Sequence, residues 1–327
     1  TTGHPELDIA RGIENTSGPL GQGHVFAIGA AIAAKFLAAR TGNPTFAQET
    51  IYAYISDGGI QEEISQGGAR IAGVLGLDNL IMFYDSNGIQ LSTETKEVMN
   101  EDTAAKYRAL GWEVFEIDGN DVKQIRKVLD ASLNVKGKPS LIIGKCIMGK
   151  GALKADGTSY ENNCKTHGAP LGGDAFVNTV KNLGGDPENP FTIFPDVADL
   201  YAKRAEELEA IVASRYKEEK AWADANPEKA SQLAGWLNNK TPNIDWSKIQ
   251  QKDDDATRSA SATCLSLLAE QVPNMIVSSA DLSNSDKTDG FLKKTHVLTR
   301  DDFSGAFLQA GVAELTMACC CIGMAIH

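Results

Sequence analysis

Positive charge is scarce in this chain. Its 327 residues carry 31 Lys and Arg against 43 Asp and Glu, a formal net charge of −12. Nucleic-acid binding needs a basic face, so the balance argues against that class of partner. Phosphorylated small molecules remain open, because they need only a local Arg or His. No uninterrupted apolar run suggests a bilayer span, so no membrane partner is expected. No secretory signal is expected either. The six cysteines are scattered apart from Cys319-Cys320-Cys321, and none has metal-ligand spacing. Three adjacent cysteines in an apolar run read as small core residues in a reducing, cytoplasmic setting. What is present, 42% hydrophobic and 23% charged residues, is a globular composition long enough for two domains. The chain starts at Thr1 without Met and stops inside the apolar stretch ending at His327, so it is expected to be a piece of a longer polypeptide.

The organising stretch is Ser56-Asp57-Gly58-Gly59-Ile60-Gln61-Glu62, continued at Asp85-Ser86-Asn87-Gly88-Ile89. Each half follows a short apolar and aromatic run, Ile51 to Ile55 and Leu80 to Tyr84, that reads as a buried strand. Glu62 to Leu77 between them has helical spacing. Strand, helix, strand requires parallel strands with a right-handed crossover, and both strands then deliver their carboxyl ends to one edge, where ligands bind. Asp57 and Asn87 are expected side by side there. A carboxylate with an amide carbonyl suits a hard cation such as Mg²⁺, and Gly58, Gly59 and Gly88 permit close backbone approach. Ordinary strand-to-loop turns use the same residue types.

Further strands are expected at Trp112 to Asp118 and Pro139 to Cys146, with helices at Asp121 to Leu133, through Asp196 to Trp236, and from Thr257 to Gln271. This alternation is the signature of an α/β protein with parallel sheets flanked by helices. Gly149 to Asn163 reads as a long loop of functional type. Asn238 to Asp255 has linker composition. Met275 to Ser279 begins a second α/β unit. The division expected is 1–238, a linker at 239–255, and 256–327.

The Asp57-Gly58 and Asn87 pair resembles the thiamine diphosphate motif. With His4-Pro5-Glu6, Gly18-Pro19-Leu20-Gly21-Gln22-Gly23, His167-Gly168-Ala169-Pro170-Leu171-Gly172 and Ser279-Ala280-Asp281-Leu282, it occurs in the order of a transketolase. The resemblance spans almost the whole chain and implies the thiamine diphosphate-binding fold in two successive α/β domains. The first binds the diphosphate, and the second, incomplete here, binds the aminopyrimidine. It implies Mg²⁺ (or Ca²⁺) held by Asp57, Asn87 and Ile89. Cofactor contacts are implied for Gly18, Leu20, Gly58, Glu62, Asn87, His167, Asp281 and Glu314.

The implied activity is reversible transfer of a two-carbon ketol unit from a ketose phosphate to an aldose phosphate, in the pentose phosphate pathway. Glu314, His4 and His167 would be catalytic, Arg258 and Ser285 would grip the substrate phosphate, and a homodimer would share its sites between subunits. A dihydroxyacetone synthase, a deoxyxylulose-phosphate synthase and a non-catalytic nucleotide- or metal-binding module are the alternatives.

Several positions depart from the family pattern. Ser56 replaces a glycine, and a positive φ there would cost about 1 kcal/mol. Gly67 falls where a second family glutamate stands. Ala313 and Leu315 replace the Arg and His that flank the family's catalytic glutamate. His24, in place of an apolar residue, would either reach the diphosphate or lie on the helix surface, and Lys287 would add charge near the phosphate grip. Glu314 is the one charge in its apolar run, so an apolar surround would keep its carboxyl protonated.

Overall fold

The structure, a computed structural model, describes residues 6–327. The first long helix, α1 (Gln22–Thr41), is released from the glycine loop at Gly21 and stopped at Gly42, both with left-handed backbone. It is apolar all round, as a core helix should be. By length and composition it is also long and apolar enough to cross a membrane, which corrects the expectation that no such run exists. Here its Val25, Ile28, Ile32 and Phe36 lie in the protein core.

Four strands follow in alternation with helices: β1 (Ile51–Ser56), α2 (Glu63–Leu75), β2 (Leu80–Ser86), α3 (Thr103–Ala109), β3 (Glu113–Asp118), α4 (Val122–Ser132) and β4 (Ser140–Lys145). They form one parallel sheet in the order β1-β2-β4-β3. Apolar residues point to both of its faces. Ile55, Met82, Tyr84 and Leu141 join the core beneath α1 and α2, while Ile81, Ile117 and Ile142 pack with Ile125 and Leu129 of α4. Ser56 stands opposite Asp85, so β1 and β2 end at the same level, as the sequence predicts.

The helix expected over Glu62 to Leu77 is α2, and a separate turn at Asp57–Gln61 precedes it, with Glu62 extended between the two (ψ 138°). Side chains take over where the backbone ladder breaks. Ser65 Oγ donates to the Gly59 carbonyl at 2.5 Å and Gln66 Nε2 to the Ile60 carbonyl at 2.7 Å.

Beyond the loop, α5 (Gly173–Asn182) precedes α6 (Pro195–Ala225) and α7 (Pro227–Leu237). None of the 31 residues of α6 is buried, matching its Lys- and Glu-rich composition. After a stretch whose one regular feature is the turn Trp246–Lys248, α8 (Thr257–Gln271) spans the residues expected of it. A two-stranded parallel sheet, β5 (Val277–Ser279) and β6 (Phe307–Gln309), then leads to α9 (Glu314–Ile326).

The two sheets share one apolar core, in which Val277, Phe291, Phe307 and Cys320 are continuous with the α1 residues. The join is a close crossing of α1 and α9. A Cβ on Gly29 would lie 2.2 Å from the Cys320 carbonyl oxygen, and one on Gly323 would lie 2.1 Å from that of Phe26. Neither obstacle is a flexible side-chain end, so the helices would have to separate. Gly323→Ala should therefore destabilise the protein by roughly 1–3 kcal/mol. Urea denaturation checks this, and an unchanged midpoint would mean that the helices do not depend on this approach.

Candidate active site

The carboxylate of Asp57 joins the ends of two neighbouring strands. Its Oδ1 accepts a 2.6 Å hydrogen bond from the Tyr84 hydroxyl, and its Oδ2 accepts from the backbone N–H of Asn87 at 3.2 Å and of Gly88 at 2.9 Å. The side chain is buried, 3% exposed, and all three partners are neutral donors. Asn87 turns back on its own loop, with Oδ1 accepting from the Ile89 N–H at 3.0 Å and Nδ2 donating to Asp85 at 3.3 Å.

The surroundings are negative. Burial pushes the Cys146 thiol up to about 12, helped by Asp85, Asp118 and Asp57. Burial and then the bond to Asp57 push the Tyr84 hydroxyl up as well. A buried carboxylate with only neutral donors, in a field of further acids, is the electrostatic complement of a cation. Asp57, the Asn87 amide oxygen and the Ile89 backbone offer the hard oxygen donors that Mg²⁺ takes. These residues therefore fit a divalent cation.

Ser56 needs no left-handed backbone, which corrects the strain expected of it. Its φ is −103° and ψ 175°, and its Oγ accepts from the Gly59 N–H at 3.3 Å, capping the turn that carries Asp57. Serine at this position is a helix cap in its own right. Sequence reading passed over Tyr84, taking it as one more apolar strand residue. The available signal was that a buried tyrosine hydroxyl needs a partner, and the strand end supplies few others.

The glycine loop crosses the start of this unit. Leu20 lies over Gly58, where an added Cβ would meet its Cδ1 at 3.2 Å, and Gly21 backs onto Glu62. Leu20, Glu62, Arg70 and Glu314 line one open groove of about 1010 Å³. Glu314 is the first residue of α9 and is exposed within this chain, as are Val312 and Leu315 beside it. The apolar surround expected of Glu314 is thus not formed by its own chain, because the helix directs that residue outward.

Gly67 faces Thr316 so closely that a Cβ would come 2.4 Å from its Oγ1, and that hydroxyl donates to the Ile64 carbonyl at 3.3 Å. With Thr316 in place, no glutamate fits at position 67.

The other predicted residues stand elsewhere. Gly18 precedes the groove-lining Pro19. His167 is exposed at the end of the turn Cys164–Thr166. Asp281 is exposed with a left-handed backbone, φ 67°. Arg258 and Ser285 do meet, with Nη1 donating to the Ser285 carbonyl at 3.2 Å, although neither lines the Leu20 and Glu314 groove. Lys287 ends the adjacent short helix at φ 69°. His4 lies outside the described residues.

His24 is neither on the helix surface nor a charged partner for a diphosphate. It is buried with Nε2 unpartnered, and burial holds it down at about 4. Its pocket, about 280 Å³, lies between the glycine loop and β1.

Two measurements follow from this geometry. Ser56→Ala should cost about 0.5–2 kcal/mol in urea denaturation, whereas Ser56→Gly should cost only a few tenths. Equal losses would contradict the cap. The unfolded chain protonates His24 below its ordinary 6.5 and the folded one only near 4, so protons favour unfolding across that window. Stability should fall by about 3 kcal/mol as pH drops from 6.5 to 4, and His24→Leu should remove that fall in a urea series over pH.

Residues 1–242 match the family model described as "Transketolase, thiamine diphosphate binding domain". A plasmid-encoded transketolase of Cupriavidus necator is 34% identical over 341 residues, covering 100% of this chain and 49% of that protein. Transketolase 2 of Escherichia coli is 34% identical over 339 residues, with coverage of 100% and 49%. Among solved structures, the transketolase of Leishmania mexicana superimposes with a TM-score of 0.92 at 30% identity, over 100% of this chain and 49% of that one. A Pichia stipitis transketolase complexed with sedoheptulose 7-phosphate gives 0.87 at 31% identity, over 96% and 48%. The chain thus spans about half the length of the curated relatives it matches, and its parallel α/β fold is theirs. The glycine loop, the Asp57 and Asn87 strand ends and the family match over residues 1–242 together show that the chain belongs to the transketolase family, through its thiamine diphosphate-binding domain.

Proposed function

We propose that the full-length protein is a transketolase that moves a two-carbon ketol unit from a ketose phosphate to an aldose phosphate in pentose phosphate metabolism. The observation that carries this is Asp57, a buried carboxylate satisfied only by neutral donors at the joined ends of two parallel strands. Asp57, Asn87 and the Ile89 backbone would hold Mg²⁺ (or Ca²⁺), and the metal would hold the cofactor's diphosphate. When bound, thiamine diphosphate supplies the carbon nucleophile and electron sink that cleavage beside a ketone needs.

This chain's own residues would bind and orient. Gly18, Leu20 and Gly58 would line the cofactor, with the Leu20 side chain excluding water from its reactive face. Glu62, Asp281 and Glu314 would serve the aminopyrimidine end. The Glu314 carboxyl would hold a proton at a ring nitrogen. His4 and His167 would move protons on sugar oxygens, His167 also donating to the diphosphate. Arg258 and Ser285 would grip the sugar phosphate, Arg258 exchanging its carbonyl contact for a stronger charge-assisted one.

The exposed Leu20, Val312 and Leu315 around Glu314 support a homodimer in which a second copy closes over this face, with each subunit contributing to both sites, and the cytoplasm would be its compartment. Residues 1–238 would form the diphosphate-binding domain, 239–255 the linker, and 256–327 the beginning of the pyrimidine-binding domain.

Titration calorimetry of thiamine diphosphate into the full-length protein should show Mg²⁺-dependent binding that Asp57→Ala abolishes. Glu314→Ala should keep that binding and lose most ketol-transfer turnover. Binding that ignores Mg²⁺ or Asp57 would refute the metal assignment, and full turnover in Glu314→Ala would refute the role of that glutamate.

A further inference from the structure

Arg70 sits on the inner side of the groove that Glu314 faces, but it comes from the other unit of the fold. It belongs to α2, and its Nη2 donates to the Ala310 carbonyl at 3.3 Å. The next residue, Gly311, has φ +68°, and a Cβ there would lie 2.4 Å from Arg70 Nη1. The guanidinium therefore lies against the turn, whose positive φ at Gly311 favours glycine. That turn ends three residues before Glu314.

The start of α9 has few restraints of its own. Ala313, at its cap position, makes no side-chain capping bond. Residues 310–317 contain no basic residue. Helix starts without caps fray, because their first N–H groups have no partner within the helix. Ala310 is anchored on one side by its own N–H, which donates to the Ser279 carbonyl of β5 at 3.1 Å, and the side-chain contacts that tie the turn and helix start to the neighbouring unit come from α2: Arg70 to Ala310, and Thr316 to the Ile64 carbonyl. Arg70 has five N–H donors in a rigid fork, and its recorded bond goes to a neutral carbonyl. The groove it lines also holds Glu62, Glu63, Lys106 and Glu314.

We propose that Arg70 is a positioning residue, a latch from α2 onto the Ala310–Gly311 turn that sets the direction in which Glu314 leaves the start of α9. The catalytic part of this inference rests on the role proposed above for Glu314. The latch itself does not. The side chain acts through the turn and touches no reacting atom. Its removal loosens the helix start without opening the α1 and α9 crossing, which is held by Gly29 and Gly323 at the far side.

The test uses the full-length protein as wild type, Arg70→Met, Arg70→Lys and Arg70→Met with Ala313→Arg. Amide hydrogen exchange is read by mass spectrometry over 310–318, without cofactor or sugar. Ketol transfer is read as kcat and KM separately. In Arg70→Met, exchange over 310–318 should rise about tenfold while the α1 peptides stay protected. Its kcat should fall roughly ten- to hundredfold at an unchanged sugar KM, since misplacing a catalytic group costs that much. Arg70→Lys, which keeps a cation and N–H donors but not the planar fork, should recover part of both. Ala313→Arg, which restores charge but not the latch, should leave exchange high.

Exchange over 310–318 equal to wild type in Arg70→Met overturns the latch. So does a loss of kcat that only tracks a lowered melting temperature, with α1 peptides exposed to the same extent. If Arg70→Met does not fold, the Arg70→Lys exchange decides alone, and wild-type protection there overturns the latch. A wild-type protein without ketol transfer, but with the expected exchange, would refute the proposed function and uphold the latch.

Discussion

A buried carboxylate holding two strand ends together is the constraint on which the rest of this structure turns. Asp57 accepts from the hydroxyl of Tyr84 on the adjacent strand and from two N–H groups of the loop that follows it. Burying a carboxylate with no cation is costly, and three neutral donors offset only part of that cost. The site is therefore electrostatically complementary to a positive ligand, and nearby acids deepen the same field. The capping serine, the broken helix after it and the side-chain bonds that repair that break all serve to present this one group at the sheet edge.

The second constraint is a helix crossing. Because Gly29 and Gly323 leave no side chains between α1 and α9, the backbones approach closely enough that one apolar core serves both sheets. This crossing carries α9 alongside α2, so that Thr316 closes the space over Gly67 and Glu314 emerges at the mouth of the groove. The departure at Gly67 thereby acquires a physical cause. The position without the acid is the one that Thr316 of the neighbouring helix covers.

How much could be read in advance varies with how local the physics is. The β1 and β2 runs, their common level and the alternation of strands and helices follow from periodicity and from the handedness of parallel crossovers. The full extent of α8, Thr257–Gln271, was legible for the same reason. Other features were not, because they depend on partners distant in sequence. Nothing local distinguishes Tyr84 from the apolar residues around it. Nothing near His24 says that a helix-start histidine would be buried and unpartnered. The solvent exposure of Glu314 contradicts its apolar neighbours, because the run is buried only on the sides that face α1 and α2.

The sequence by itself determined the fold class and the family, since each depends on residue types at short, fixed spacing. Only the tertiary structure decided that Ser56 is an unstrained cap, that position 67 has no room for a side chain, and that Arg70 reaches the turn before Glu314. Those outcomes depend on which backbones pass within a few ångströms of each other, and such distances are settled by packing across the whole core.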